Sequence, residues 1–185
     1  MGQNIKPPLV LAVLMMVVVA CLSFVFDVTE EPIRLQAEMA QAAAMQRLLY
    51  AEVYDELSVS PYDIADSTVT AAWQALDGNE VVGYIIAASP RGFGGRIDML
   101  VAINTQGLLE GVEVVRHTET PGLGTPIQTE AFTVQYVGQA GPFTVTRSSA
   151  PGQYEIQALT SATASTVGVT NGVNDAVEYF RQHLQ

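Results

Sequence analysis

The first apolar segment of the chain has the length and charge pattern of a membrane helix. Residues 7–26 are almost all apolar, and about 20 such residues cross roughly 30 Å of hydrocarbon as a helix. Lys6 precedes the segment, whereas Asp27, Glu30 and Glu31 follow it. Because basic residues stay on the cytoplasmic side, we predict a single transmembrane helix at residues 1–28, with the N-terminus in the cytoplasm.

Two other interpretations of this segment stay open. A cleaved signal peptide ends its shorter apolar region at a small-residue cleavage site. A lipoprotein signal is also possible, because Val18-Val19-Ala20-Cys21 resembles the motif that precedes a lipidated cysteine. We favour the uncleaved span, because the apolar run continues past Cys21 at residues 22–25.

A helical pattern follows the apolar run. Apolar residues recur at spacings of three and four between residues 30 and 57, and Pro32 suits a first-turn position. The stripe consists of Ile33, Ala37, Ala40, Ala44, Leu48 and Ala51. We predict a helix over residues 30–57, ended by Pro61, and assign residues 29–60 to a helical stalk or first helix of the next domain.

The remaining residues, 61–185, alternate strand and turn signals and are predicted to form one domain. Two hairpins are predicted, with strands at residues 68–76 and 80–88 and at residues 96–103 and 109–116; a further strand is predicted at residues 143–147. Helices are predicted at residues 127–132 and 171–184, with Asn171 as the N-cap of the second. Hairpin-linked strands with helices at the ends indicate an α+β domain with an antiparallel sheet and flanking helices.

Composition excludes several kinds of site. The net charge is −11, with only 8 Lys and Arg residues, which argues against nucleic acid because phosphate binding needs clustered basic side chains. One cysteine and two histidines cannot form a cysteine-rich or multi-histidine metal site within the chain.

Two glycine-containing strings are candidates for binding a flat ligand. Residues 92–95 read Gly-Phe-Gly-Gly, which permits close backbone approach. No lysine follows these glycines and the loop joins two strands, so it is neither a Walker loop nor a dinucleotide fingerprint. The second string includes Glu119, Thr120, Gly122, Leu123 and Gly124. Its bare backbone groups suit the polar edge of a ring, and Leu123 suits the ring's apolar face.

The third string, residues 160–166, carries five hydroxyl side chains in seven residues. A hydroxyl can form an ester, and amides at a turn can bind phosphate. Composition alone is also compatible with ordinary loops and helix caps. No catalytic triad is indicated, because His117 and His183 have no activating neighbours in the sequence.

Together, and in this order behind a membrane span, these strings resemble the G subunit of the Rnf electron-transport complex. That family is related to the C subunit of the sodium-pumping NADH:quinone oxidoreductase. Its flavinylation motif reads Asp, two variable residues, Ser or Thr, Gly, Ala and Thr, and residues 157–163 occupy these places. Gln157 stands where the family has an acidic residue, and Ser161 stands where it has glycine.

The resemblance implies that Thr163 carries FMN through a phosphoester. It further implies a cofactor site that includes the glycine-containing loop and the rest of the hydroxyl string, namely Glu119, Thr120, Gly122, Leu123, Gly124, Thr160, Ser161, Ala162, Ser165 and Thr166. No catalytic residue and no resident metal are expected.

The expected function is electron transfer within an ion-translocating ferredoxin:NAD⁺ oxidoreductase. The chain alone would be an electron carrier, with its FMN-binding domain outside the cytoplasm. Its partners would be the other membrane subunits and a flavin transferase that uses FAD and Mg²⁺.

Two alternative functions stay open. One is a carrier in a quinone reductase or another extracytoplasmic redox chain. The other is a non-redox, membrane-anchored assembly module whose flavin site has decayed at Gln157 and Ser161.

Overall fold

The computed structural model describes residues 6–60 and 67–185, which fall into two compact units, Met1–Gln41 and Ala42–Gln185. The first element is a long helix, α1 (Lys6–Leu48). Among the described residues, only its segment Pro8–Leu48 is long and apolar enough to cross a membrane by length and composition. The apolar side chains of the first unit are exposed, as expected for a lipid-facing helix.

The prediction that this helix continues to residue 57 is wrong. Helix α1 ends at Leu48, and strand β1 (Val53–Leu57) follows. In β1, Val53 lies opposite Leu76 and Leu57 lies opposite Ala72, so pairing with a neighbouring strand overrides the local helical periodicity. Pro61, the predicted helix end, lies outside the described residues. The division at residues 28 and 60 stays a prediction.

The domain is built on a five-stranded antiparallel sheet with strand order β1-β2-β3-β4-β5. Its other strands are β2 (Val69–Asp77), β3 (Glu80–Ala88), β4 (Ile97–Asn104) and β5 (Leu109–His117). Both predicted hairpins are present, with Gly78 and Gly107 at positive φ in their turns. Sequence-adjacent strands pair throughout, which confirms the α+β class with an antiparallel sheet.

Short elements connect β5 to the C-terminal helix. A 3-10 turn (Thr125–Gln128), helix α2 (Glu130–Thr133) and a second 3-10 turn (Val134–Tyr136) replace the predicted helix at residues 127–132. Strand β6 (Thr144–Thr146) then pairs in parallel with β7 (Glu155–Gln157), a strand that the sequence pattern did not predict.

The C-terminal helix begins much earlier than predicted. Helix α3 spans Thr163–His183, so Asn171 lies inside it and is not its N-cap. Ser and Thr normally weaken helices by competing for backbone groups. Here the hydroxyls of Thr166 and Thr170 bond back to carbonyls one turn earlier, and their burial makes them part of the packed face.

Successive residues of β4 pack on opposite faces of the sheet, as strand geometry requires. Val101 and Ile103 join a core with α3 residues such as Val173 and Phe180. Leu100 and Ala102 pack instead with Ala44 and Met45, which belong to the last part of α1 within the second unit. The sheet is therefore covered on both faces, and α3 is fixed along its length.

Candidate functional site

The carboxyl group of Glu119 lies where two glycine-containing loops meet the start of α3. Glu119 is only 5% exposed. Its Oε1 accepts a hydrogen bond from the amide of Gly94 at 3.1 Å. Its Oε2 accepts one from the hydroxyl of Ser165 at 2.6 Å. One side chain therefore connects residues 92–95, its own loop and the first turn of α3.

Glycines make this close approach possible. A Cβ at Gly92 would overlap Oε1 of Glu119, and a Cβ at Gly124 would lie 2.7 Å from both Cβ and Oε2 of Glu119. On α3, a Cβ at Gly168 would lie 2.7 Å from the carbonyl oxygen of Arg91. Only glycine fits such positions without displacement, so three glycines set the spacing between the loops and the helix.

Further bonds hold the two loops against each other. The hydroxyl of Thr118 donates to the carbonyl of Gly94 at 3.1 Å. The amide of Glu119 donates to Nδ1 of His117 at 3.2 Å. Gly122 adopts a φ of 78°, and its amide donates to the Thr125 hydroxyl at 3.1 Å. The Gly122 loop is thus an ordered turn with defined backbone directions.

An acidic side chain anchors the start of the first loop. Asp98 accepts hydrogen bonds from the Ser89 hydroxyl at 2.7 Å and from Nε of Arg116 at 2.8 Å. Partial burial raises the pKa of Asp98, but the bonds from Ser89 and Arg116 outweigh it, so its pKa lies below the ordinary value. The bond between Ser89 and Asp98 therefore joins the segment before this loop to the start of β4, which follows the loop.

The hydroxyls of residues 160–166 fall into two groups. Ser165 and Thr166 are buried, and both hydroxyls are used: Ser165 bonds Glu119, while Thr166 donates to Ala162 at 3.0 Å and accepts from the Leu159 amide at 3.2 Å. Thr160 and Ser161 are exposed and Thr163 is half-buried.

None of the hydroxyls of Thr160, Ser161 and Thr163 has a hydrogen-bond partner within residues 6–60 and 67–185. These three hydroxyls are therefore not engaged by the described part of the chain, and their residues are exposed or partly exposed.

Thr163 is the first residue of α3, and the helix start is uncapped. The N-cap residue Ala162 makes no side-chain capping bond, and the first turn contains no acidic residue. The first amides of a helix have no intrahelical partner and carry partial positive charge. The accessible Thr163 hydroxyl thus lies at a place suited to an anion such as a phosphate.

The turn before α3 contains a residue in an uncommon conformation. Ser161 has a φ of 67°, in the left-handed region that favours glycine. This is the position where the resembled family has glycine. Ala162, another predicted site residue, is buried, and its methyl side chain offers a ligand no polar group.

Two exposed apolar side chains lie on the two loops. Phe93 is 78% exposed and Leu123 is 52% exposed, and their loops are joined through Glu119 and Gly94. The predicted role of Leu123 over an apolar ring face stays a prediction. Sequence reasoning assigned no role to Phe93, although the glycine string around it marked that loop as a candidate.

Residues 92–178 match the family model described as "FMN-binding domain". This range contains both loops, Glu119 and the start of α3. The match thus covers the part of the chain in which the candidate site lies.

Several curated proteins named as G subunits are similar to this chain. The chain is 36% identical over 107 residues to the G subunit of the proton-translocating ferredoxin:NAD(+) oxidoreductase complex of Clostridium ljungdahlii, a match that covers 57% of each chain. It is 29% identical over 172 residues to the G subunit of the ion-translocating oxidoreductase complex of Methanosarcina acetivorans, which covers 91% of this chain and 90% of that one. The match to the G subunit of the Na(+)-translocating ferredoxin:NAD(+) oxidoreductase complex of Acetobacterium woodii is 31% identical and covers 55% of this chain and 51% of that one.

These matches differ in extent. The alignments with the C. ljungdahlii and A. woodii proteins span about half of each relative's length. The resemblance to the G subunit that the sequence motifs indicated is confirmed by these names.

Solved structures support the fold of the domain. NqrC from Shewanella oneidensis superposes with a TM-score of 0.51 at 20% identity, covering 60% of this chain and 57% of that one. The C subunit of the Na(+)-translocating NADH-quinone reductase of Parabacteroides distasonis gives the same TM-score and identity, covering 62% of this chain and 63% of that one. At this identity the likeness concerns the fold.

Proposed function

We propose that this protein is a membrane-anchored electron-transfer subunit that carries FMN in an ion-translocating ferredoxin:NAD⁺ oxidoreductase. The observation that carries this proposal is the match of residues 92–178 to the FMN-binding domain, together with relatives named as G subunits of such complexes. Bound FMN supplies the redox chemistry, and the protein positions it and tunes its environment. The partners are the other membrane subunits of the complex.

FMN is attached covalently to Thr163 in this proposal. The Thr163 hydroxyl oxygen attacks the FMN phosphorus of FAD, the bond to the AMP phosphate breaks, and AMP and the hydroxyl proton leave. A separate flavin transferase with Mg²⁺ performs this step. The accessible hydroxyl supports the assignment, as do the uncapped amides of α3, which suit the resulting phosphate. The buried hydroxyls of Ser165 and Thr166 are already engaged.

The two loops provide a site for the flavin ring. The ordered turn around Gly122 presents backbone groups to a polar edge. The exposed side chains of Leu123 and Phe93 provide apolar surface on loops that are bonded to the start of α3. A flat, partly apolar ring suits such a combination of apolar cover and few polar contacts.

In-gel fluorescence tests the covalent attachment. The full chain, coexpressed with a flavin transferase, should give a flavin-fluorescent band that survives a denaturing gel, and Thr163→Ala should abolish it. Thr160→Ala and Ser161→Ala are the matched controls and should keep the band. Peptide mass spectrometry that places FMN on Thr160 or Thr166 would contradict the assignment.

We further propose that α1 anchors the protein with its N-terminus in the cytoplasm and the FMN-binding domain on the outer side of the cell membrane. The support is the exposed apolar surface of α1 and the distribution of charge around it. Intact-mass measurement of the membrane-extracted protein should show an uncleaved chain. A mass lacking the first 20 residues, with a diacylglycerol on Cys21, would show a lipoprotein instead.

The two remaining functional alternatives are separated by one purification each. The NqrC-like fold leaves room for a carrier in a quinone reductase, which would copurify with different membrane subunits. A decayed assembly module would be colourless and would show no flavin fluorescence after coexpression with the transferase.

A further inference from the structure

We propose that Glu119 is a positioning residue for flavinylation, acting through Ser165 and Gly94 and not through contact with the flavin. This inference rests on the proposed attachment at Thr163. Both carboxyl oxygens of Glu119 are occupied by bonds inside the domain, and only 5% of the residue is exposed. Its carboxyl group therefore faces protein on the side where the loops meet.

Ser165 connects Glu119 to the acceptor. Residues 163 and 165 are about 200° apart around a helix with about 100° per residue. Ser165 therefore faces inward to Glu119 while Thr163 is directed away, in agreement with the burial of Ser165 and the accessibility of Thr163. A bond to Ser165 sets the rotation of the first turn of α3, and with it the direction of the Thr163 hydroxyl.

The other contacts of Glu119 place the predicted ring site relative to the acceptor. Gly94 adjoins the exposed Phe93, and Glu119 begins the loop that contains Gly122 and Leu123. One carboxyl group thus links the acceptor turn to both loops. The acceptor turn must hold the FMN phosphate while the two loops contact the flavin ring. This requires a fixed spacing between the turn and the loops.

Burying a carboxyl group between the loops costs more free energy than burying an apolar side chain there. None of the ion pairs among the described residues includes Glu119, and burying a carboxyl without a cationic partner costs free energy. An apolar residue would pack between the loops at lower cost, but it could not bond both an amide and a hydroxyl. The acceptor capacity of two oxygens is what the position uses.

The test measures the initial rate at which a flavin transferase labels the full-length protein with FAD and Mg²⁺. Glu119→Ala should slow labelling by roughly tenfold or more, because it removes both hydrogen bonds that connect the first turn of α3 with the Gly94 loop. Glu119→Gln should label close to the wild-type rate, because its amide oxygen accepts from Gly94 and its NH₂ donates to Ser165. The control Glu56→Ala, an exposed glutamate on β1, should label normally.

A double-mutant cycle tests the route through Ser165. Ser165→Ala alone should slow labelling, and adding it to Glu119→Ala should cause little further loss, because both remove the same bond. Fully additive losses would show that Ser165 and Glu119 act separately and would overturn the route. The pair Ser165→Ala and Glu119→Gln keeps the proposal testable if Glu119→Ala does not fold.

Amide hydrogen exchange gives a readout that does not depend on flavinylation. In the unlabelled protein, exchange of the Thr166 amide, which donates to the carbonyl of Ala162, should be faster in Glu119→Ala than in wild type, and Glu119→Gln should restore the slow rate. Wild-type labelling and exchange in a folded Glu119→Ala variant would overturn the proposal. So would a Glu119→Gln variant as slow as Glu119→Ala, because the charge would then be what matters. Labelling that persists in Thr163→Ala would instead refute the proposed attachment. The exchange experiment would then still decide whether Glu119 positions the first turn of α3.

Discussion

The two ends of the hydroxyl string differ in almost every physical respect except composition. Thr160 and Ser161 are exposed and make no hydrogen bond within the described part of the chain, whereas Ser165 and Thr166 are buried and fully engaged. Thr163 lies between them, at the first residue of α3. The same types of side chain are therefore potential reactants at one end and form structural hydrogen bonds inside the domain at the other.

The difference shows that the helix start, and not the residue type, assigns the role. Once α3 begins at Thr163, helical geometry directs residues 165 and 166 toward the loops and the sheet while residue 163 stays accessible. A list of serines and threonines cannot separate these roles. The position of the helix boundary separates these two roles.

The largest effect on stability is expected from the buried end. Thr166→Val keeps the shape of the side chain but leaves the Leu159 amide without its acceptor. An unsatisfied donor costs about 1–3 kcal/mol when it is fully buried; the Leu159 amide is partly buried, so we expect a loss at the lower end of this range. Urea unfolding should show this loss, whereas Thr160→Val at the exposed end should change the free energy of unfolding little. Equal losses for the two variants would remove the distinction between the ends.

The next effect concerns the Gly122 loop, which Glu119 connects to the first turn of α3. Gly122→Val places a β-branched residue at a φ of 78°, where a Cβ meets no atom within 4 Å, so only the backbone conformation is strained, by about 1–2 kcal/mol. We expect a folded protein whose flavin absorption spectrum or potential is changed. Gly152→Val is the control, because the φ of Gly152 is not in the left-handed region. An unchanged spectrum would reduce the Gly122 loop to a simple turn.

A smaller and opposite effect is expected at Ser161. Ser161→Gly removes the Cβ from a left-handed residue and should stabilise the domain by up to about 1 kcal/mol, with normal labelling of Thr163. Ser161→Ala keeps the Cβ and should not stabilise. A gain from both substitutions would mean that the hydroxyl, and not the backbone conformation, is unfavourable.

The smallest effect is expected at Gln157, which is exposed at the end of β7. A carboxylate there would help to hold the Mg²⁺ or orient the acceptor hydroxyl. Gln157→Asp should therefore raise the labelling rate about two- to fivefold, a typical gain for one exposed charge, without altering the finished flavin spectrum. Gln153→Asp controls for added charge nearby. A slower rate for Gln157→Asp would show that the transferase is matched to glutamine.

Sequence reasoning predicted the sheet better than its surroundings. Alternating patterns and glycine turns are local signals, and β3 has the predicted bounds, Glu80–Ala88. Strand β1 and the early start of α3 were missed because both depend on distant contacts: β1 pairs with β2, and the hydroxyls of the first α3 turns become acceptable in a helix once they are buried and bonded.

The candidate site was predicted in its parts and not in its arrangement. Glu119 was selected as a member of a loop near a ring, yet its carboxyl group is turned to Gly94 and Ser165. These residues are separated by 25 and 46 positions in sequence. No local pattern relates residues at such separations, so the network around Glu119 required the three-dimensional structure.

Helix α3 follows every strand of the sheet in chain order, which has a consequence for timing. The antiparallel sheet is a meander of sequence-adjacent strands, whose short-range pairings form readily. Residues 163–183 are synthesised after these strands, and their first turn is held by contacts to loops that leave this sheet. Thr163 therefore reaches its final setting only when the sheet and its loops are in place. A transferase that recognises that setting would label folded domains and pass over unfolded ones, so that the attached cofactor also reports that the domain has folded.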